Sequence, residues 1–379
     1  MSFKFLKEQV RQQQHLSLFR ERSLITAQTG TEIIVDGEKY LNFSSNDYLG
    51  LNQHKDINKA LIEGVDRFGL CASASSLVTG FNYAHQALEE KICQWLNKPR
   101  CLLYASGFAA NTGVIQALAQ NNVKFILDKL SHASLIDAVI NDKQSFKRFA
   151  HNNYEQLARI MATQNDHNQL IISEGVFSMD GDSADIVQLN TLAQRYNAKT
   201  YIDDAHSIGV VGDKGQGSSY YCESDLTMAT FGKAIATNGA FVTCDEDMYQ
   251  FLVNFSRHYI YSTAMSPAVA WATIKSVELI QKETWRREKI NQLSQLFIKM
   301  LNDNITLVPT SSSIHAIVIG DAEQTLMAAQ KLKRKGIWLT PIRPPTVPTN
   351  SSRLRVTICA HHNEQDIKYL AQSINEVVI

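Results

Sequence analysis

Apolar positions in the middle of the chain come in short continuous runs, CLLYA, VKFILD, LIISE and TYIDD, each bounded by polar or small residues. Between them lie amphipathic stretches such as GFAANTGVIQALAQ, SHASLIDAVI and VQLNTLAQRY. Strands that are apolar throughout belong between two layers of helices. The alternation from about Ala84 to Phe255 therefore predicts βαβ units and a mostly parallel sheet. Ahead of it, residues 4–22 read as an amphipathic helix. TEIIVDGEKYLNF reads as a hairpin with arms Ile33–Val35 and Tyr40–Phe43 about an Asp-Gly turn. Behind it, a long helical stretch from Pro267 to Leu301 leads into HAIVI, a helix near 323–336, IWLT, RLRVTIC and a terminal helix. The pattern divides the α/β chain into an N-terminal helix and hairpin (1–45), a large domain (46–285) and a small α+β domain (286–379).

Composition narrows the functional class. The chain has 379 residues, 44% hydrophobic and 20% charged, with 37 basic against 37 acidic side chains. A formal net charge of +0 offers no general attraction to nucleic acid or an anionic membrane. No apolar run approaches membrane-spanning length, and the charged N-terminus lacks the apolar core of a signal peptide. Six cysteines are scattered without a CxxC pair, which argues against a zinc site or a disulfide framework. These features fit a cytoplasmic enzyme with reduced thiols.

In open α/β sheets, ligands bind beyond the carboxyl ends of the strands. Asp128, Glu174 and Asp203 stand at such ends and are expected to converge on one crevice. In TYIDDAHSIGVVG, the trio Asp203, Asp204 and His206 could hold a metal, orient a catalytic group or cap the next segment. Two further stretches bear on the choice. Lys233, in TFGKAIATNG, ends a β-prone run among Phe231, Gly232 and Ala234, small and apolar surroundings that favour the neutral amine needed for Schiff-base chemistry. Ser106-Gly107-Phe108 joins a strand to a helix, where free N–H groups form a phosphate cradle. A lysine, an aspartate and a phosphate-type turn at three strand ends fit pyridoxal 5′-phosphate. A Mn or Fe site in a hydrolase would suit the carboxylates and histidine, but it leaves Lys233 and the turn without a role. No metal is therefore expected. Strand alternation places Asp203 toward the ligand and Asp204 on the opposite face, as a structural residue.

The chain resembles the α-oxoamine synthases, pyridoxal-phosphate transferases of fold type I, the aspartate-aminotransferase fold. The resemblance runs nearly end to end, through LNFSSNDYLGL, HQALEE, SGFAAN, DKLSHASL, EGVFSMDGD, DDAHSIGVVG, TFGKA, IYSTAMSP, IRPPTVP and RLRVT. It implies that Lys233 forms the Schiff base and later moves the Cα proton, that Asp203 pairs with the pyridinium nitrogen, that His206 bonds the phenolic oxygen and that His132 stacks on the ring. It also implies that Gly107 and Phe108 N–H groups and the Ser178 and Thr230 hydroxyls hold the phosphate. Thr263 would reach that phosphate from a second subunit, making a homodimer with the active site at its interface. Arg355 and Asn46 match residues that hold the amino-acid carboxylate, and Arg20 and Thr346 lie at positions near the acyl substrate. IRPPTVP and EGVFSMDGDSA are most similar to the biotin-pathway branch, which implies L-alanine and a pimeloyl thioester of coenzyme A or a carrier protein. Other branches use glycine or serine with other thioesters. Two segments depart from the family pattern. Ala72–Ser75, within GLCASASSLVTG, replace glycines, so a different loop path is expected. Asn238 stands where small residues are usual, and its tolerance of the left-handed region would preserve the turn.

Overall fold

In the runs around Phe125–Leu127, Leu170–Ile172 and Tyr201–Ile202, neighbouring residues serve opposite cores. Phe125, Leu127, Leu170, Ile172 and Tyr201 pack with Val114, Ile115 and Leu135 in one cluster. Ile126, Ile171 and Ile202 pack with Leu157, Met161 and Leu189 in another. This is the period-two alternation of a strand buried on both faces. The computed structural model describes residues 3–141, 146–163 and 168–378. It places these strands in a seven-stranded sheet ordered Arg100–Tyr104, Ala240–Cys244, Leu226–Thr230, Lys199–Asp203, Asn168–Glu174, Val123–Asp128, Phe146–Phe149. Ala240–Cys244 runs antiparallel to both neighbours, and the remaining pairings are parallel. The predicted mostly parallel sheet is present.

Register brings the polar strand ends level. Glu174 pairs with Asp203, and Asp203 with Met228. The chemistry-bearing side chains therefore emerge along a single edge rather than in steps.

The chain divides into two units. One holds residues 49–178 and 183–287, including the seven-stranded sheet; the other holds the chain up to Tyr48, Met179–Asp182 and the chain from Glu288 on. The expected division is into three segments, 1–45, 46–285 and 286–379. The N-terminal segment, however, belongs to the same unit as the C-terminal region. Its strands Ile25–Thr29, Glu32–Val35 and Glu38–Asn42 form one sheet with Ile337–Trp338, which pairs in parallel with Leu41 and Asn42. A second sheet orders Ile314–Gly320, Ser352–Thr357 and Thr340–Ile342. The core of this unit gathers Phe43, Phe297, Ile317, Leu354, Val356 and Leu370.

Three predicted elements differ in extent. The first helix covers only Phe5–His15 and buries none of its residues. Beyond it Ser17 turns left-handed at φ 56°, and the Arg343 guanidinium donates to the Ser17 and Phe19 carbonyls, so the chain is held by a distant side chain instead of its own helix. The stretch Pro267–Leu301 is two helices, Pro267–Lys282 and Trp285–Met300. Glu283 leaves helical geometry between them, and Arg286 donates to its carboxylate (2.6 Å) and to the Leu49 carbonyl (2.7 Å). IWLT splits between two sheets at Leu339.

The segment after Asp203 is fixed by its neighbour. Asp204 is fully buried and accepts from Ser207 Oγ (2.5 Å), Ser218 N (2.8 Å) and Ser218 Oγ (2.9 Å). The chain must come close to it: a Cβ on Gly217, where φ is +67°, would lie 2.4 Å from Asp204 Oδ2. Gly217→Ala combines a left-handed alanine with overpacking and is expected to cost about 2–4 kcal/mol in urea unfolding. Unchanged stability would show that Asp204 does not anchor this loop.

Candidate active site

At the carboxyl edge of the sheet lies a cavity of about 210 Å³. Its lining includes Lys233, Asp203, His206, His132, Thr230, Gly107 and Phe108, the residues singled out from sequence, together with Asn111, Ser134 and Glu174. Ser178 and Thr263 are not in the lining. Lys233 Nζ lies 2.6 Å from His206 Nε2, so the two predicted catalytic groups are already in contact.

Asp203 is buried, and its position is set by donors. Asn111 Nδ2 donates to Asp203 Oδ2 (2.8 Å) and the Ala205 N–H to Oδ1 (3.0 Å). Such bonds to a carboxylate contribute about 1.5–3 kcal/mol each and offset part of its desolvation. Asn111 is itself oriented by the Tyr201 hydroxyl, which donates to its Oδ1 (2.7 Å), and its amide also reaches Ser134 Oγ (2.9 Å). Sequence reasoning did not single out Asn111. The available signal was an amide inside the mostly apolar helix Gly107–Ala119, where a buried polar residue needs a partner.

Of the three strand-end carboxyls expected to converge, Asp203 and Glu174 line the cavity and Asp128 does not. Glu174 does face the cavity. Burial, reinforced by the Asp203 charge, pushes its carboxyl well above the usual carboxylate range against the pull of Lys233 and of the His132 and Ser178 backbone N–H groups. Its Oε1 is buried without a hydrogen-bond partner. Asp128 does not join the cavity. It accepts from the Leu130 N–H (2.8 Å) and the Asn152 N–H (2.9 Å) and meets His151 Nδ1 at 2.9 Å, holding the loops beyond its own strand. Asp204 likewise points away. Burial raises its carboxyl to about 6 despite the bonds from Ser207 and Ser218. Among the described residues no three metal-ligating side chains cluster, and the Asp203, Asp204 and His206 trio is divided by strand alternation.

The phosphate-type turn has the expected form. Ser106 caps the helix Gly107–Ala119 through Ala109 N (3.2 Å), which leaves the N–H groups of Gly107 and Phe108 without intrahelical partners. Thr230 Oγ1 donates to the Gly239 carbonyl (3.0 Å). In the turn after Lys233 the left-handed residue is Ala236 (φ 58°), not Asn238; Asn238 Oδ1 instead accepts from the Gly239 N–H (2.9 Å). In the Gly69–Gly80 loop, Ser73 adopts φ 62° without being glycine. Gly80 cannot be replaced so easily, since a Cβ there would fall 2.1 Å from the Ala74 carbonyl. The exposed Thr263 bridges Ser75 of this loop, and Ala264 N donates to the Ala74 carbonyl (3.0 Å).

The residues expected to hold substrates lie in the other unit, in two groups. Arg355 NH1 donates to Asn46 Oδ1 (3.2 Å) and Thr357 Oγ1 (3.0 Å), and NH2 approaches the Tyr48 hydroxyl (3.4 Å). Tyr48, which the sequence did not mark, is fully buried; burial raises its phenol, with Arg355 opposing. Arg20 NH2 donates to Thr346 Oγ1 (3.3 Å), so the two residues predicted near the acyl substrate touch each other.

The family model described as aminotransferase class I and II matches residues 38–374. The chain belongs to this aminotransferase family. An 8-amino-7-oxononanoate synthase of Photobacterium profundum is 44% identical over 367 residues, covering 95% of this chain and 93% of that protein. One of Vibrio vulnificus is 40% identical over 365 residues, covering 96% and 94%. Among solved structures, a serine palmitoyltransferase variant from S. paucimobilis with a bound PLP–myriocin aldimine superimposes with a TM-score of 0.91 at 25% identity, covering 99% of this chain and 97% of that one. An 8-amino-7-oxononanoate synthase from Francisella tularensis superimposes with a TM-score of 0.77 at 26% identity, covering 89% and 97%. The aminotransferase fold expected from the sequence is thereby established.

With burial holding its carboxyl well above the usual range, Glu174 is expected to keep its proton to higher pH than an exposed glutamate. An infrared carbonyl stretch from a protonated carboxyl should be present in the wild type and missing in Glu174→Gln, whose neutral side chain should leave stability within about 1 kcal/mol. Identical spectra would mean that Glu174 is ionised.

Proposed function

We propose that the chain is a pyridoxal-phosphate-dependent acyltransferase that condenses L-alanine with a pimeloyl thioester, releasing carbon dioxide and the thiol carrier to give 8-amino-7-oxononanoate for biotin synthesis. The observation that carries this reading is the near full-length identity of 40–44% to relatives bearing that enzyme's name. The pocket supports it chemically. A primary amine, an acceptor-only carboxylate and a helix N-terminus line one small cavity, and these are the groups that pyridoxal phosphate requires.

When bound, the cofactor supplies an electron-accepting ring that stabilises negative charge at the amino acid's Cα. The protein's own groups do the rest. Lys233 holds the cofactor covalently and then moves the proton at Cα, with His206 beside its amine. Asp203 keeps the ring nitrogen protonated, an effect of about 1–3 pKa units for opposite charges at close range. Gly107 and Phe108 offer their N–H groups to the phosphate. Ser178 and Thr230 assist it with hydroxyls, and a second copy of the chain contributes Thr263. Arg355, whose fork suits a carboxylate, takes the amino-acid end of the substrate with Asn46, and Arg20 and Thr346 serve the acyl end. His132 stacks on the ring.

The solved serine palmitoyltransferase superimposes more closely than the solved 8-amino-7-oxononanoate synthase. At about equal, low identity that difference reports backbone path and carries no information about the acyl pocket. The sequence relatives therefore weigh more. No helix among the described residues is long and apolar enough to cross a membrane, and we place the enzyme in the cytoplasm.

The purified protein is expected to be yellow, and borohydride should fix the cofactor to the peptide containing Lys233; a colourless protein indifferent to pyridoxal phosphate would refute the cofactor assignment. With L-alanine, glycine and L-serine offered in parallel beside a pimeloyl thioester, thiol release should favour L-alanine. Preference for glycine with a short acyl group would reject the substrate while keeping the chemistry. Asp203→Asn should lower turnover by about a hundredfold or more. Asp204→Asn should act mainly on thermal stability, because only one end of an amide can accept the bonds that Ser207 and Ser218 donate to the two carboxylate oxygens. Equal loss of turnover in the two variants would contradict the division of roles.

A further inference from the structure

His132 is the residue immediately before the helix Ala133–Asn141, and its carbonyl accepts from Ile136 N (3.3 Å). Its ring closes back on the same turn. Nδ1 lies 3.3 Å from the Ser134 backbone N–H and 2.8 Å from Ser134 Oγ. The direction of these bonds follows from their neighbours. The Tyr201 hydroxyl donates to Asn111 Oδ1, which turns the Asn111 amide nitrogen toward Asp203 Oδ2 and Ser134 Oγ. Ser134 Oγ accepts a hydrogen bond from Asn111, which favours turning its own hydrogen toward Nδ1. A backbone N–H can only donate. Nδ1 therefore faces two donors and must be an acceptor, and the ring proton sits on Nε2.

An imidazolium would place a third N–H against those two donors, at the positive end of a helix. Burial acts in the same direction and lowers the basicity of His132. Lys233 adds to that lowering, while Asp203 and Asp137 oppose it. Glu174 meets the His132 backbone N–H, and burial pushes its own carboxyl toward the neutral form.

We propose that Ser134 and Asn111 are positioning residues that lock His132 as a neutral, Nε2-protonated hydrogen-bond donor on the cavity wall, and that the lock is anchored on Asp203. The carboxylate that faces the ring nitrogen and the histidine on the wall are then ends of one chain of hydrogen bonds: Asp203, Asn111, Ser134, His132. The donor it presents suits an anionic or carbonyl oxygen of the bound substrate, which a Nδ1-protonated ring would not serve. The inference rests on the functional reading above for its ligand, but the tautomer itself does not.

The test is nitrogen NMR of the holoenzyme labelled in its histidines, with the His132 signals assigned by their loss in His132→Gln. The wild type should show an unprotonated Nδ1 and a protonated Nε2 at pH 7.5. In Ser134→Ala the ring should sample both tautomers, its titration midpoint should rise by about one unit, and kcat/KM should fall about tenfold. Ser134→Thr, which keeps the hydroxyl, should restore both signals and rate. Asn111→Ala should shift the tautomer in the same direction but less than Ser134→Ala, because the Ser134 hydroxyl then loses the donor that orients its hydrogen toward Nδ1 while the Ser134 backbone N–H stays in place. A Nδ1-protonated or doubly protonated His132 in the wild type, or a Ser134→Ala spectrum like the wild type's, would overturn the proposal. A different reaction product with the tautomer as described would instead overturn the assigned function and leave this lock standing.

Discussion

The pair formed by Asp203 and Asn111 is the contact on which the rest of the site depends. A carboxylate at the end of a central strand, cut off from water, would by itself be costly. Asn111 meets it from the neighbouring helix with an amide whose orientation is fixed by Tyr201. That helix begins at the turn whose free N–H groups face the same cavity. The buried carboxylate and the helix N-terminus are thus held at a set spacing by one side-chain bond.

Around this pair the other titratable groups are arranged so that few carry charge. Burial keeps Glu174 toward its protonated form and His132 toward its neutral form. The cavity then sets a carboxyl and an amine, those of Asp203 and Lys233, beside neutral donors. In a low-dielectric site, such economy matters, because each added charge would shift its neighbours by amounts comparable to the effects used for catalysis. Asp204, one residue from Asp203, stays out of this set. It anchors the following loop through Ser207 and Ser218.

The smaller unit follows a separate logic. Arg355 is buried on a strand and held by Asn46, Tyr48 and Thr357, so its guanidinium is aimed before any ligand arrives. Preorganisation of this kind lowers the entropy cost of engaging any ligand. Residues from both ends of the chain build this group, which explains why the N-terminal hairpin does not form a domain of its own.

The parallel sheet, its helices, the strand ends that bear Asp203 and Lys233 and the SGF turn were legible in the sequence, because each depends on local periodicity or on residues a few positions apart. Resemblance then named most of the residues that line the cavity. What it did not reveal were matters of distant contact. Asn111, Ser134 and Tyr48 act through partners that are remote in sequence or through a turn of the ring, and Asp128 was read as a site residue although His151 and Asn152 engage it. The break at Glu283 and the early end of the first helix carry no glycine or proline to announce them; Arg286 and Arg343 impose them from elsewhere. Local pattern determines which elements form and where their polar ends lie. Only the folded chain decides which of those ends meet, since a hydrogen bond acts over about 3 Å and sequence separation says nothing about that distance.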